Sequence, residues 1–288
     1  MSLRTRGELA LVLAAILWGS TFVIIKDALA DITPVLYLLI RFSLSSLLLL
    51  AFVRSRPSRR MVLGGILTGA FVGVGMILQT YGLRDTSASN VGFLTSLYIP
   101  LVPFVAALVY QARTGWREGI AVVLATLGLA LLSFDPSTLS MNRGDIMTVA
   151  AALMFSFQIV LVKRFAAEGD AVWMAWFQVF MTAVVSALAI GFEQTSVLWT
   201  TRLQVAMAIT VLGATVIAYL LQAFGQKYTS ANRAALIFAL EPVFACAASY
   251  FWLNERLSPR GWFGAALVLL AVLIAELKPG AATKHSSN

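Results

Sequence analysis

Leu78–Asn90 reads LQTYGLRDTSASN, and Leu221–Arg233, 143 residues further on, reads LQAFGQKYTSANR. Gln79 falls on Gln222, Gly82 on Gly225, and Thr86, Ser87 and Ala88 on Thr229, Ser230 and Ala231. Apolar helices often match one another because few letters are in use. Here the shared letters are mostly polar or glycine, so the echo marks a duplication. A second stretch agrees at nearly the same spacing. GELALVLAAILWGSTFVIIK from Gly7 lies over GDIMTVAAALMFSFQIVLVK from Gly144, an offset of 137 residues that pairs Glu8 with Asp145 and Lys26 with Lys163.

The chain around these echoes is apolar. Of its 288 residues 60% are hydrophobic and 12% charged, with a mean hydropathy of +0.87, against about 25% charged residues in an ordinary soluble domain. The charges cluster, leaving uncharged runs such as 61–83, 86–112, 171–192 and 203–226, each long enough for the roughly 20 residues of a membrane-crossing helix. The pattern predicts an all-α polytopic membrane protein with ten transmembrane helices, near 8–28, 34–54, 61–83, 89–111, 116–134, 144–163, 171–192, 204–226, 231–253 and 259–277. Breakers punctuate the links, among them Pro57 and the Asp135-Pro136-Ser137 run. The first span is expected to be more than a signal sequence, since nine more follow and WGSTF does not resemble a small-residue cleavage site.

The duplication divides the chain into a five-helix repeat over 8–134, a second over 144–277 and a tail, 278–288, expected to be disordered and cytoplasmic. Five is odd, so a chain that weaves through the bilayer must start its second repeat from the opposite face. The halves are then inverted copies, an architecture that places a substrate site near the membrane midplane between them. Topology follows from the basic residues. With a cytoplasmic N-terminus, 14 of the 21 Lys and Arg lie inside and six outside, with Arg41 within a span, the skew of the positive-inside rule. Both termini are expected to be cytoplasmic. The net charge of +8 then reflects topology, and no basic segment is long enough to dock nucleic acid. Cys246 is the single cysteine and His285 the single histidine.

Several local patterns together resemble a known family: WGSTF at Trp18–Phe22, the TSAS and TSAN openings of the fourth and ninth spans, LEP at Leu240–Pro242, and the run LNERLSPRGWFGAALVLLAVLIA from Leu253. In this order, and with the duplication, they are similar to the drug/metabolite transporter superfamily, in its ten-helix EamA-type permease branch. The resemblance covers about residues 8–277 and implies two inverted five-helix bundles in a bacterial inner membrane, exporting amino acids or related metabolites. The branch is diverse in substrate, so the cargo stays open.

Two charges sit well inside the spans, Arg41 and Glu241. A charge near a helix centre costs about 2.5–3.5 kcal/mol on insertion scales, so each marks a candidate site. Glu241 is about ten residues into its span, roughly 15 Å deep and so at the midplane; its neighbour Pro242 is expected to kink the helix. Glu241 reads either as a proton-coupling or amine-binding group or as a buried structural acceptor. Arg41 is expected nearer the outer face, its stem snorkelling, with a structural or gating role. Trp18 and Thr21 share one face of the first helix, and their repeat mates Phe155 and Gln158 repeat the pattern of an aromatic beside a polar group. That suits the floor of a cavity, with lipid-facing packing the alternative. Gln79 and Gln222 would be costly in lipid and are expected to face protein or cavity; Tyr98 and Phe238 are further candidates for its lining. Asn90 and Asn232 read as helix caps. Gly65, Gly69 and Gly73, and likewise Gly115 and Gly119, read as close-packing ladders, and Trp252 and Trp262 as interfacial anchors.

Other classes lack their chemistry. With its single histidine in the tail, the chain offers no buried Ser-His or Cys-His pair and no H-E-x-x-H metal site, so no enzyme is expected. A channel would want rings of carbonyls or like charges. No phosphate-binding G-x-x-x-x-G-K-[ST] occurs, so neither ATP hydrolysis nor any cofactor is implied. The expected partners are the lipid bilayer and a small-molecule substrate, with protons a candidate coupling ion; monomer and homodimer are both compatible with the sequence.

Overall fold

The computed structural model describes residues 1–111, 115–133, 142–253 and 258–276. The helices follow one another as α1 (Leu3–Ala28), α2 (Pro34–Leu50), α3 (Arg59–Asp85), α4 (Ala88–Thr95), α5 (Tyr98–Tyr110), α6 (Trp116–Ser133), α7 (Arg143–Ala166), α8 (Ala171–Ala189), α9 (Thr201–Ile209), α10 (Ala218–Tyr228), α11 (Ala231–Phe238), α12 (Glu241–Leu253) and α13 (Pro259–Glu276). A π-helical segment, Thr210–Ile217, runs from α9 into α10. These make ten passes, because α4 with α5, α9 with α10, and α11 with α12 are each one pass interrupted partway. Seven stretches of described residues are long and apolar enough to cross a membrane, including Asn90–Tyr110 across the α4–α5 break; Pro34–Leu50 and Pro259–Ile274 are shorter apolar helices. The predicted spans agree except at a few ends: α2 stops at Leu50, where Ala51 and Phe52 turn, rather than near 54. The tail 278–288, Arg113, the Asp135-Pro136-Ser137 run and the Trp252 side chain lie outside the described residues.

The repeated TSA letters have a local cause. Ser87 caps α4 by accepting from the Asn90 backbone N–H, and Ser230 caps α11 in the same way from Arg233. Each satisfies a donor that the first turn leaves without a partner. Asn90 and Asn232 are therefore not the caps; they bond across to neighbouring helices, Asn90 Nδ2 donating to Asp145 (2.5 Å) and Asn232 Nδ2 to Glu118 (2.8 Å). The interruptions also sit at matching positions. Ser96 and Leu97 separate α4 from α5, and their mates Ala239 and Leu240 separate α11 from α12. Pro100 and Pro242 stand in the first turns of the second half-helices, where a missing N–H is tolerated but an unbroken helix could not continue. Glu241 is thus the first residue of α12, where a kink at Pro242 was expected; the chain breaks before it.

Contacts at the two ends show the inversion. The α1 C-terminal end meets the end of α3, with Lys26 Nζ donating to the carbonyls of Leu83 (2.5 Å), Arg84 (2.9 Å) and Thr86 (2.9 Å). The end of α3 also meets the beginning of α7, where a Cβ on Gly82 would lie 2.9 Å from the Gly144 carbonyl oxygen. At the other end, Gly7 near the start of α1 packs on Gly225 near the end of α10, and Lys163 near the end of α7 donates to the Lys227 carbonyl (3.2 Å). So α1 and α7 run antiparallel, and exchanging the repeats maps one end onto the other. Gly7 with Gly225 becomes Gly144 with Gly82.

Glycines on α3 bring it against α8. A Cβ at Gly65 would meet the Phe177 ring at 2.6 Å, at Gly69 the Phe177 carbonyl oxygen at 2.6 Å, and at Gly73 the Val185 side chain at 3.0 Å. The packing expected of this ladder is present. Gly115 and Gly119 differ, with nothing within 4 Å of either, so their spacing does not mark a helix contact. Large apolar side chains such as Leu47, Leu63, Phe104, Leu108 and Leu188 point outward. That is the surface a hydrocarbon solvent requires.

Candidate functional site

The broken passes and α1, α2, α3 and α7 surround a central cavity. It is lined by Trp18, Thr21, Gln79, Tyr98, Phe155, Gln158, Gln222, Phe238 and Glu241, and by Arg41. Every site residue singled out in the sequence therefore faces one space. Arg41 departs from expectation in one respect: it is 3% exposed and turns into the cavity, where snorkelling to the outer face was expected. A wall of polar groups inside gives the guanidinium better partners than the apolar route to the interface.

Repeat symmetry explains the lining. Trp18 with Phe155, Thr21 with Gln158 and Phe22 with Ile159 are mates on α1 and α7; Met76 with Tyr219 and Gln79 with Gln222 are mates on α3 and α10. At the breaks the mates are Thr95 with Phe238 and Tyr98 with Glu241, the last two being the first residues of α5 and α12. Helix N-termini carry partial positive charge, so both half-helices aim a positive end at the middle of the molecule. Sequence reasoning missed Phe22, Ile25, Val72, Met76, Thr95, Ile159 and Tyr219. Met76 and Tyr219 sit three residues before Gln79 and Gln222, one turn along the same face, so helical spacing combined with the repeat would have found them.

Aromatic rings form one wall. Trp18 lies against Tyr219 (ring centroids 5.6 Å apart, planes at 73°) and Phe238 (5.3 Å, 58°), and Tyr219 against Phe42 (6.1 Å, 81°). The indole Nε1 donates to the Ala214 carbonyl (2.9 Å). Gly19, next along α1, has no room for a Cβ, which would meet the Glu241 carbonyl and sit 3.1 Å from Ala245 N. This fits a glycine between Trp18 and Ser20, because α1 must press on the start of α12.

Amides form a second wall. Gln158 Nε2 donates to Gln178 Oε1 (2.5 Å) and to Gln222 Oε1 (3.0 Å), and Gln178 in turn donates to the Met174 carbonyl (3.2 Å). Both hydrogens of the Gln158 amide are used. Its own oxygen and the Gln222 Nε2 make no hydrogen bond among the described residues, leaving one acceptor and one donor at the cavity. Gln79 Nε2 donates to Thr95 Oγ1 (3.0 Å), and the buried Tyr98 hydroxyl has no partner among the described residues. The Thr21 hydroxyl turns back to the Leu17 (3.0 Å) and Trp18 (2.9 Å) carbonyls.

The π-helical segment supports the site from behind Arg41. Its wider turn lets Thr215 Oγ1 bond the Thr210 carbonyl five residues back (2.8 Å) and accept from Arg41 Nε (2.7 Å). Ser45 and Tyr37 on α2 reach the same segment, at the Val211 carbonyl (3.3 Å) and Thr210 Oγ1 (2.8 Å). Such bulges are rare and cluster at functional sites. The corresponding part of α3 is regular helix.

The two ends of the molecule differ. A second, open pocket lies between α1, α9 and α12 at the end that carries Lys26, Asp27 and Arg202, with Val23 and Ile24 in its wall. At the opposite end their mates Val160 and Leu161 are buried, as is every residue of α11. The open end is tied across its loops: Arg202 pairs with Asp31 (2.7 Å) and Asp27 (3.1 Å), Thr200 donates to Asp31 (2.6 Å), and Ile32 bridges to Val197. These bonds from Arg202 and Thr200 hold the Asp31 carboxyl below the usual carboxylate range.

The sequence pattern of the EamA-like transporter family matches residues 5–134 and again 142–277. An uncharacterized transporter of Archaeoglobus fulgidus is 34% identical over 275 residues, covering 96% of this chain and 87% of its own. A protein of Rickettsia prowazekii named an S-adenosylmethionine uptake transporter is 27% identical over 260 residues, covering 86% of this chain and 85% of its own. A solved crystal structure at 20% identity superposes with a TM-score of 0.76 over 95% of this chain and 97% of that one.

Proposed function

Since the chain belongs to the EamA-like transporter family and is therefore a multi-pass membrane transporter, we propose that it is a secondary carrier that exports small metabolites, amino acids or related compounds foremost, by alternating access. The membrane is the cell inner membrane, with both termini cytoplasmic. The observation that carries this reading is the central cavity, lined by mates from two inverted repeats, with one end of the molecule packed and the other open. Exchanging the conformations of the repeats would exchange the open and packed ends, which is how an inverted duplication yields two access states. The arginine skew assigns the open end to the outside.

Aromatic and amide walls side by side suit a small amphipathic molecule. The rickettsial relatives, named for uptake of S-adenosylmethionine, favour a second reading in which an amino-acid derivative is imported; cavity chemistry is the same in both and direction separates them. Glu241 is the candidate coupling group if protons drive the cycle. The test is flux in proteoliposomes with a panel of amino acids and derivatives, with and without an imposed pH gradient of either sign. Saturable flux that follows the gradient and fails in Glu241→Gln supports a proton-coupled carrier. Equal flux in Glu241→Gln across the pH range leaves a facilitator, and gradient-independent open-channel current rejects the carrier reading.

A further inference from the structure

Five charged residues of the described chain are buried: Asp31, Arg41, Asp145, Arg233 and Glu241. Three are matched. Asp31 pairs with Arg202 (2.7 Å) and Arg233 with Glu8 (3.3 Å), while Asp145 accepts from Asn90 (2.5 Å) and the Asn142 backbone (3.0 Å). Arg41 and Glu241 are the two left over. Among the described residues neither forms an ion pair, with the other or with any third group, and the Glu241 carboxylate accepts no hydrogen bond. Yet both line the same cavity, 3% and 8% exposed.

A buried ion without a counter-ion is costly, and the cost falls once the opposite charge arrives in good geometry. Had these two been positioned to neutralise each other, they would have done so. Instead Arg41 is held to the π-helical segment through Nε by Thr215 (2.7 Å), and the Tyr37 hydroxyl lies beside it, while Glu241 lines the cavity from the start of α12. Tyr219 stands near both charges and in contact with Trp18. The protein thus keeps a guanidinium and a carboxyl group apart across an aromatic-walled space.

We propose that the cavity takes a zwitterion whose anionic group is received by the Arg41 guanidinium and whose cationic group is received by Glu241, its apolar part lying on the Trp18, Tyr219 and Phe238 rings. Arg41 uses Nε for Thr215, which turns its two Nη groups to the ligand; a carboxylate can take both at once, the bidentate geometry a guanidinium favours. The fixed cation of the ligand meets a carboxylate and nearby ring faces, which attract cations through their quadrupoles. Thr215 is a positioning residue: it acts through Arg41 and depends on the π turn. This assignment rests on the carrier reading and names its substrate class by charge pattern. It also gives Arg41 a ligand-binding role in place of the structural or gating one expected from sequence.

The test uses the full chain in nanodiscs, with ligand-induced thermal shifts for phenylalanine, leucine and methionine, each as the free zwitterion, the methyl ester (cation alone) and the N-acetyl form (anion alone). At least one zwitterion binds, and each of its blocked forms binds roughly ten- to a hundredfold more weakly, the worth of one charge-assisted hydrogen-bonded contact. Arg41→Gln removes the preference for zwitterion over ester, and Glu241→Gln the preference over the N-acetyl form. Should Arg41→Gln not fold, Thr215→Val weakens zwitterion and N-acetyl binding while sparing the ester, and Thr215→Ser restores it; a merely structural threonine would move all three alike. The proposal is overturned if no zwitterion in the panel binds, or if blocked forms bind as tightly. Flux measured separately in proteoliposomes distinguishes the two readings: binding without flux rejects transport, and flux of the singly charged forms equal to that of the zwitterion rejects the charge pattern.

Discussion

Adding one methyl group at Gly225 should open one end of the protein and leave the other alone. The Cβ of Gly225→Ala would lie 2.6 Å from the Gly7 carbonyl oxygen and 2.6 Å from Leu11 Cγ, whereas ordinary contact begins at 3.4 Å, so α1 and α10 must part by about 0.8 Å there. Overpacking of this kind costs about 1–3 kcal/mol. Alanine returns about 0.8–1.0 kcal/mol of helix propensity. The remainder, as much as about 2 kcal/mol against the packed state, shifts the balance toward opening by up to roughly thirtyfold. The assay is thiol labelling of Thr229→Cys, a 4% exposed position near that end, in a background with Cys246→Ser. Labelling should rise by that factor in Gly225→Ala. Its mate Gly82→Ala, where the Gly144 oxygen is 2.9 Å from the new Cβ, lies at the end that is already open and should leave labelling at residue 229 unchanged. Gly119→Ala meets nothing within 4 Å and should not change it either. An unchanged rate at residue 229 in Gly225→Ala, or an equal rise with Gly119→Ala, would refute the claim that the Gly7–Gly225 contact closes the packed end.

Gln158→Leu removes the donor that serves both Gln178 and Gln222, leaving two amide oxygens unsatisfied at about 1–3 kcal/mol each; a melting temperature within a degree of the parent would contradict it. The Asp31–Arg202 clasp carries a pH signature. Because the folded carboxyl is held below its ordinary value, its contribution is complete above the unfolded pKa near ~3.9 and is lost as pH falls through the lower folded value. Asp31→Asn should therefore melt below the parent by a constant margin from pH 8 to about 5, the gap closing only in stronger acid; a gap that closes near neutrality would point to another group. Ser87→Ala and Ser230→Ala each delete an N-cap worth about 1 kcal/mol, which denaturation in mixed micelles should register, with Ser87→Thr and Ser230→Thr recovering most of it.

Much of the arrangement was legible before any coordinates. The letters of the echo each have a structural use: Gln79 and Gln222 line the cavity, Gly82 and Gly225 press against Gly144 and Gly7, and Ser87 and Ser230 cap α4 and α11. Polar residues in an apolar chain are few and costly, so each one retained in both copies marks a place where the fold needs it. The errors fell where a local pattern has two physical outcomes. A four-residue glycine spacing packs at Gly65 to Gly73 and stands in open space at Gly115 and Gly119. A long cationic side chain can reach for the interface or turn inward, and Arg41 turns inward to Thr215. The π-helical segment left no sign in the sequence, since its cause is lateral: Trp18, Tyr37, Arg41 and Ser45 all bond to it from other helices.

Hydropathy and parity are properties of the chain read in one dimension. They determined that the protein lives in a membrane, crosses it ten times and consists of two copies placed head to tail, because burial in lipid demands runs of fixed length and an odd unit must invert. The facing of each helix is another matter. Lipid tails and a protein interior are equally apolar, so nothing local distinguishes a Trp18 that looks at lipid from one that looks at Tyr219. Only the packed structure decided that, along with the separation of Arg41 from Glu241, since it depends on side chains from distant segments competing for the same few donors and acceptors.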